Sequence, residues 1–250
     1  MRLLSYNIKK GGAGREAAIA RVINDAAVDL VVFQEATNPA VIEQIAGLCG
    51  MSKWAAKADF SLGYASRVAV AGHTWHRPRG SRHAFLEVVL PDESRIFGVH
   101  LSAVHAAWTE YRRVRELRAL LASIKAHQDG FHALVGDFNT VAPGDIFDAM
   151  KLPHRLRALV WLSGGQIRWR TVKTILDAGY ADAYRSLHEG TISGFSFPTW
   201  SPHVRLDYAF LPKGFSERLS SCEVFTHDDA KDASDHFPLV IEWKSPSTFP

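Results

Sequence analysis

Eight residues have types that could do chemistry together: Asn7, Glu35, His100, Asp137, Asn139, Asp207, Asp235 and His236. They lie where apolar runs end or begin: "LLSYN", "VVFQE", "FGVH", "ALVGDFN", "VRLD" and "SDHFPLVIEW". The four carboxylates and two amides are oxygen ligands, which suit a hard cation such as Mg²⁺ or Mn²⁺. The two histidines suit proton transfer or the stabilisation of developing negative charge. No serine or cysteine nucleophile motif accompanies them. The combination points to metal-assisted attack of water on a phosphate ester. Taken singly, each has an ordinary structural role: Asn7 a turn residue, "GDFN" an Asx-turn, "SDH" a loop end. What counts is the repetition of polar residues at successive strand ends, where rigid elements present side chains to a cleft.

The elements that must position these residues are mostly strands. Runs rich in Val, Ile, Leu and Phe at 2–8, 28–35, 67–72, 83–90, 94–102, 131–139, 204–211, 220–226 and 237–243 read as strands. Helical periodicity is confined to 15–27, 39–48, 109–127 and 171–178. Over 109–127, Val114, Leu117, Leu120, Leu121 and Ile124 form the apolar face, and the other face is charged. Many strands and few helices in mixed order predict an α/β protein with two packed sheets and helices outside. No repeat or linker divides the 250 residues, so one domain over 1–250 is expected, with the tail 244–250 loose.

Composition narrows the class. Hydrophobic content of 47% and charged content of 22% are globular values and argue against disorder. No apolar run is long enough for a transmembrane helix, and Asn7, Lys9 and Lys10 interrupt any signal-peptide core. Two cysteines in unlike contexts make neither a disulfide framework nor a thiolate zinc site. A cytoplasmic protein with reduced thiols is expected, with no stable membrane insertion and no obligate protein partner. The net charge of +3 fits an anionic substrate without requiring one.

The pieces "SYNI", "VVFQEA", "GVHLS", "LVGDFNT", "RLDYAF" and "SDHFPL" run in the order of the endonuclease/exonuclease/phosphatase superfamily, which the chain resembles over nearly its whole length. The resemblance implies a deoxyribonuclease I-like four-layer α/β/β/α sandwich with the site at one end of the sheets. It implies that Glu35, with Asn7 beside it, binds the metal, and that Asp235 binds a second ion or supports the site. It further implies that Asp137, held by Asn139, orients or deprotonates the water, that Asp207 fixes His236, and that His236 and His100 contact phosphate oxygens. "VHLS" departs from the Tyr-x-Pro-Asn strand end of abasic-site endonucleases and resembles the pancreatic deoxyribonuclease, sphingomyelinase and inositol-phosphatase branches. The glutamate that partners the corresponding histidine in the pancreatic branch is not assignable in "GSRHAFLEV", where Arg82 is a candidate phosphate contact.

Residues 151–173 contain six Lys or Arg, no acid, and two tryptophans. Basic residues interleaved with aromatics suit a nucleic-acid backbone or stacked bases, so Trp161, Arg168, Trp169 and Arg170 are candidate substrate contacts. The expected function is a divalent-metal-dependent phosphodiesterase, foremost a DNA endonuclease using Mg²⁺ or Mn²⁺. The alternatives are a phospholipid or sphingomyelin phosphodiesterase, an inositol-phosphate phosphatase, and a non-catalytic binding protein on the same scaffold.

Overall fold

The computed structural model describes residues 1–103, 107–145, 151, 157, 169–191 and 193–244. Trp161, Arg168 and the last six residues of the chain lie outside the described residues. Twelve described strands, numbered in chain order, form two six-stranded mixed sheets. The first runs β11 (Leu219–Val224), β12 (Leu239–Trp243), β1 (Arg2–Asn7), β2 (Leu30–Gln34), β4 (Leu62–Ser66), β3 (Lys53–Ala56). The second runs β5 (Gly72–His76), β6 (Phe85–Val89), β7 (Arg95–His100), β8 (His132–Asp137), β10 (Asp207–Pro212), β9 (Tyr180–Asp182). One parallel pair lies at the centre of each sheet, β1 with β2 and β7 with β8.

The two-residue period of the strands assigns their side chains to layers. Leu3, Leu30 and Val32 face inward and meet Leu86, Val88, Ile96 and Val135 of the second sheet in one apolar core. Their neighbours Leu4, Val31 and Phe33 face outward, against Ile19 and Ile23 of α1 (Glu16–Asp25) and Ile42 and Ile45 of α2 (Pro39–Leu48). On the far side, Phe97, Val99, Leu134 and Phe210 pack on Leu117 and Leu120 of α3 (Ala107–Ser123) and on Val172 and Ile175 of α4 (Arg170–Asp177). The result is the expected α/β/β/α order of layers. Two short helices, α5 (Ala183–Leu187) and α6 (Ala230–Ala233), lie in late connections. Among the described residues, no helix is long and apolar enough to cross a membrane.

One sequence reading is corrected. Residues 67–71 are not a strand; β4 ends at Ser66 and β5 begins at Gly72. The Ser66 hydroxyl donates to Val68 O at 2.9 Å and accepts from Val68 N, a local loop that competes with the sheet ladder. The charged side of α3 is partly buried. Glu110, Arg113 and Glu116 are buried. Glu110 accepts from Arg113, from Thr171 N and Oγ1 at the start of α4, and from Thr140 after β8.

Candidate phosphoesterase site

Strand register places most of the chemistry. His100 ends β7 opposite Asp137 at the end of β8, and Asp207 opens the antiparallel β10 opposite Asp137. Three neighbouring strands thus present His100, Asp137 and Asp207 in one row. Asn7 ends β1 in the other sheet, and Glu35 follows β2 directly. The two sheets meet at this end, where Asn7 Nδ2 donates to Asp137 Oδ2 at 3.0 Å and lies 3.4 Å from Glu35 Oε1.

The backbone is shaped for this convergence. Gly136 has φ +147°, and a Cβ there would stand 1.9 Å from Val99 O, so only glycine lets β8 lie against β7 before Asp137. Glu35 sits at φ +57°, a left-handed conformation costing a non-glycine residue roughly 1 kcal/mol. The turn aims its carboxylate at Asn7 while Lys10 N donates to the second oxygen. Asn139, at φ +51°, donates its backbone N–H to Asp137 Oδ1 at 2.8 Å and its amide to Leu101 O at 3.0 Å.

The Ser-Asp-His segment closes the site from the C-terminal end. Ser234 Oγ donates to Asn7 O at 2.6 Å, tying this loop to β1. His236 Nδ1 donates to Asp207 Oδ2 at 2.8 Å, and its Nε2 lies 3.9 Å from Asp137 Oδ2, too far for a direct hydrogen bond. Phe197 packs its ring 4.8 Å from the imidazole. Asp235 points elsewhere, with Oδ2 3.3 Å from Lys9 Nζ. Asp207 Oδ1 is buried and accepts no hydrogen bond from the described residues.

Electrostatics differentiate the titratable groups. Burial works to lower the His236 pKa, but Asp207, assisted by Asp137 and Asp235, pushes it up to about 9. His236 therefore carries a proton on each nitrogen at neutral pH. Burial pushes Asp137 up to about 7, with His236 opposing and Asp207 adding to the rise. Burial lowers His100 to about 4, with Glu35 opposing and His83 and His236 adding to the fall. Among the described residues no carboxylate hydrogen-bonds His100; its Nδ1 meets Ser61 Oγ at 3.0 Å.

The donor set fits a hard cation. Glu35 and Asp137 bring carboxylate oxygens to the Asn7 amide, whose Nδ2 faces both and whose Oδ1 accepts from Lys9 N at 3.0 Å, and both cysteines are buried in apolar clusters. Asp137, Asp207 and His236 also lie close enough together to hold an ion. The 2.8 Å bond between Asp207 and His236 instead commits those two atoms to each other. Glu35, by contrast, has no histidine hydrogen-bond partner among the described residues.

Arg82 is exposed on the loop before β6, beside His83, whose ring stacks on His100. Trp169 is exposed ahead of α4, and Arg170 donates to Tyr111 OH at 3.1 Å. Ser61, His83, Glu116 and Lys9 were not singled out by sequence. Ser61 and Lys9 carry no pattern, and Glu116 lies on the charged side of a helix.

A two-sheet sandwich with carboxylates, amides and histidines at one end is the architecture of the deoxyribonuclease I-like phosphoesterases. The chain belongs to the endonuclease/exonuclease/phosphatase family, whose model matches residues 4–236. The 3′ phosphatase NExo from Neisseria, bound to product DNA hairpin, superposes with a TM-score of 0.72 at 15% identity, covering 98% of this chain and 100% of that one. An AP endonuclease from Archaeoglobus fulgidus has the same TM-score, identity and coverage. Humanized D. rerio TDP2 gives a TM-score of 0.66 at 16% identity, covering 98% and 99% of the two chains. At such identities the likeness is one of fold. No curated protein sequence matches the chain.

Proposed function

We propose that this protein is a divalent-metal-dependent phosphodiesterase whose substrate is DNA. The observation that carries the reading is the Asp207–His236 pair facing Asp137, with Asn7 joining Asp137 to Glu35. Glu35 and Asn7 would hold a Mg²⁺ or Mn²⁺ ion, and Asp235 would support the site through Lys9 or as a further oxygen ligand. When bound, such an ion polarises a phosphate oxygen and offsets its negative charge.

The chain's own groups do the rest. Asp137 Oδ2 orients the attacking water and takes its proton; a carboxyl held near pH 7 suits a general base. The Asn139 N–H fixes the other oxygen of Asp137. His236 donates from Nε2 to a phosphate oxygen, and Asp207 anchors its Nδ1–H so that the ring cannot turn away. His100, neutral, donates a hydrogen bond from the opposite flank.

DNA as substrate is supported by the net charge of +3 and by two structures of the same fold described as a DNA-bound 3′ phosphatase and an AP endonuclease. Arg82, Trp169 and Arg170 are the described residues best placed to extend contact beyond the scissile phosphate. The test is nicking of supercoiled plasmid with Mg²⁺ or Mn²⁺, its arrest by EDTA, and its loss on Glu35→Ala or His236→Ala. Intact plasmid alongside turnover of sphingomyelin or inositol phosphates would replace DNA with a lipid-type substrate. No turnover of bis(p-nitrophenyl) phosphate with any divalent ion would leave a binding protein.

A further inference from the structure

Glu116 is a buried charge that the reading above does not use. It lies within α3 with no exposed surface. A buried carboxylate is costly unless it is paired and hydrogen-bonded. Two of its bonds come from Ser102, two residues beyond His100: the backbone N–H donates to Oε2 at 3.1 Å and the hydroxyl to Oε1 at 3.0 Å. Its third partner is His83, whose Nδ1 is 3.4 Å from Oε1. That contact falls outside hydrogen-bonding geometry. No Lys or Arg among the described residues pairs with Glu116. Burial alone would raise the Glu116 pKa, but His83 and Ser102 hold it below its ordinary value.

His83 links Glu116 to the site. Its ring lies nearly parallel to that of His100, at 9° with centroids 6.0 Å apart. The two flanks of the site are therefore built differently. On one, Asp207 touches His236 directly. On the other, His100 meets the Ser61 hydroxyl, and the carboxylate Glu116 lies 3.4 Å from the neighbouring imidazole. The His83 side chain is 30% exposed, and its Nε2 makes no hydrogen bond to any described residue.

We propose that His83 is a substrate-contacting residue whose Nε2–H donates to a non-bridging phosphate oxygen beside His100, and that Glu116 is the positioning residue that holds its ring against His100. The site then has two carboxylate–histidine pairs, one through Asp207 and one through Glu116. This inference rests on the phosphodiesterase reading of the site.

The experiment pairs kinetics with a binding measurement. His83→Gln is expected to lower kcat on plasmid and on bis(p-nitrophenyl) phosphate by about tenfold or more, the scale of one hydrogen bond to a charged group. His83→Arg should recover part of the loss. Glu116→Gln should reproduce the kcat defect with KM little changed and circular dichroism intact. In wild-type protein, titration with inorganic phosphate should move the His83 Nε2 resonance in imidazole ¹⁵N spectra. An unmoved resonance, or a His83→Gln variant with wild-type kcat and phosphate affinity, overturns the proposal. Should the wild type turn over no phosphodiester, the site reading fails, while the phosphate titration still decides His83. The same titration decides it if a variant does not fold.

Discussion

Asn7 Nδ2 donates to Asp137 Oδ2 at 3.0 Å, and this bond runs from one sheet of the sandwich to the other. It fixes the relative position of the proposed ligand strand and the proposed base strand. Removing it leaves a buried carboxylate one donor short. Asn7→Ala should therefore cost about 2 kcal/mol of stability and lower turnover far more than substrate affinity. Urea unfolding and steady-state kinetics on the same preparation check both. An Asn7→Ala protein of wild-type stability would show that the sheets register without this bond.

Asp207 and His236 form a 2.8 Å pair among buried neighbours. Asp207→Asn preserves shape and removes the charge that keeps the imidazole protonated. The expected outcome is a fall in kcat of about 10² to 10⁴, with KM within a small factor of wild type. Unchanged kcat would remove Asp207 from the mechanism.

Glu35 is the proposed first metal ligand. Glu35→Gln should shift the Mg²⁺ or Mn²⁺ concentration for half-maximal activity upward by on the order of 100-fold. Isothermal titration of the ion, without substrate, gives the same comparison independently of turnover. Equal ion affinity in the variant and the wild type would assign the ligand elsewhere.

His132 lies in β8, on the strand that ends at Asp137. It accepts from Tyr180 OH at 2.7 Å through Nε2 and donates from Nδ1 to Gly130 O at 2.9 Å, so the neutral ring is fully satisfied. Burial lowers its pKa below the ordinary 6.5, although Gly130 O works against the fall. As pH drops through 6.5 the unfolded chain takes up the proton first. The contribution of His132 is therefore complete above that value and is lost as the solution is acidified. Urea midpoints measured from pH 8 down to pH 5 should fall, and His132→Gln should fall less steeply. Parallel slopes would refute the assignment.

Gly136→Ala should be among the most damaging single substitutions in the chain. The added Cβ would meet backbone, not a mobile side chain, 1.9 Å from Val99 O. A loss of about 3 kcal/mol is expected, with disordering of the row that holds His100, Asp137 and Asp207. Thermal melting of the variant is the direct check.

The layers of the fold were legible because buried strands write themselves as runs of Val, Ile, Leu and Phe, as in "LLSY" and "ALVG". The reading failed where this signal was weak. β4 and β5, "LGYAS" and "GHTWH", have few β-branched residues, and the apolar turn between them read as the strand instead. The polar row was legible from its position at strand ends; the pairing of Asp207 with His236 was anticipated and is present at 2.8 Å. What sequence could not supply was the partner of His100. Ser61 reaches it from β4's side over 39 residues of chain, and a serine before a strand has no distinguishing neighbours. Glu116 was hidden by helical periodicity itself, since its acid sits in a run of charged residues that resembles a wet surface.

Ser234 bonds the carbonyl of Asn7 across 227 residues of sequence, and β12 pairs with β1. Chemistry in this molecule therefore waits for the last strand. A nascent chain still missing residue 236 has the proposed ligand Glu35 and the proposed base Asp137, but no Asp207–His236 pair. Under the proposed mechanism, full turnover therefore requires residue 236 to be in place and β12 to have docked on β1.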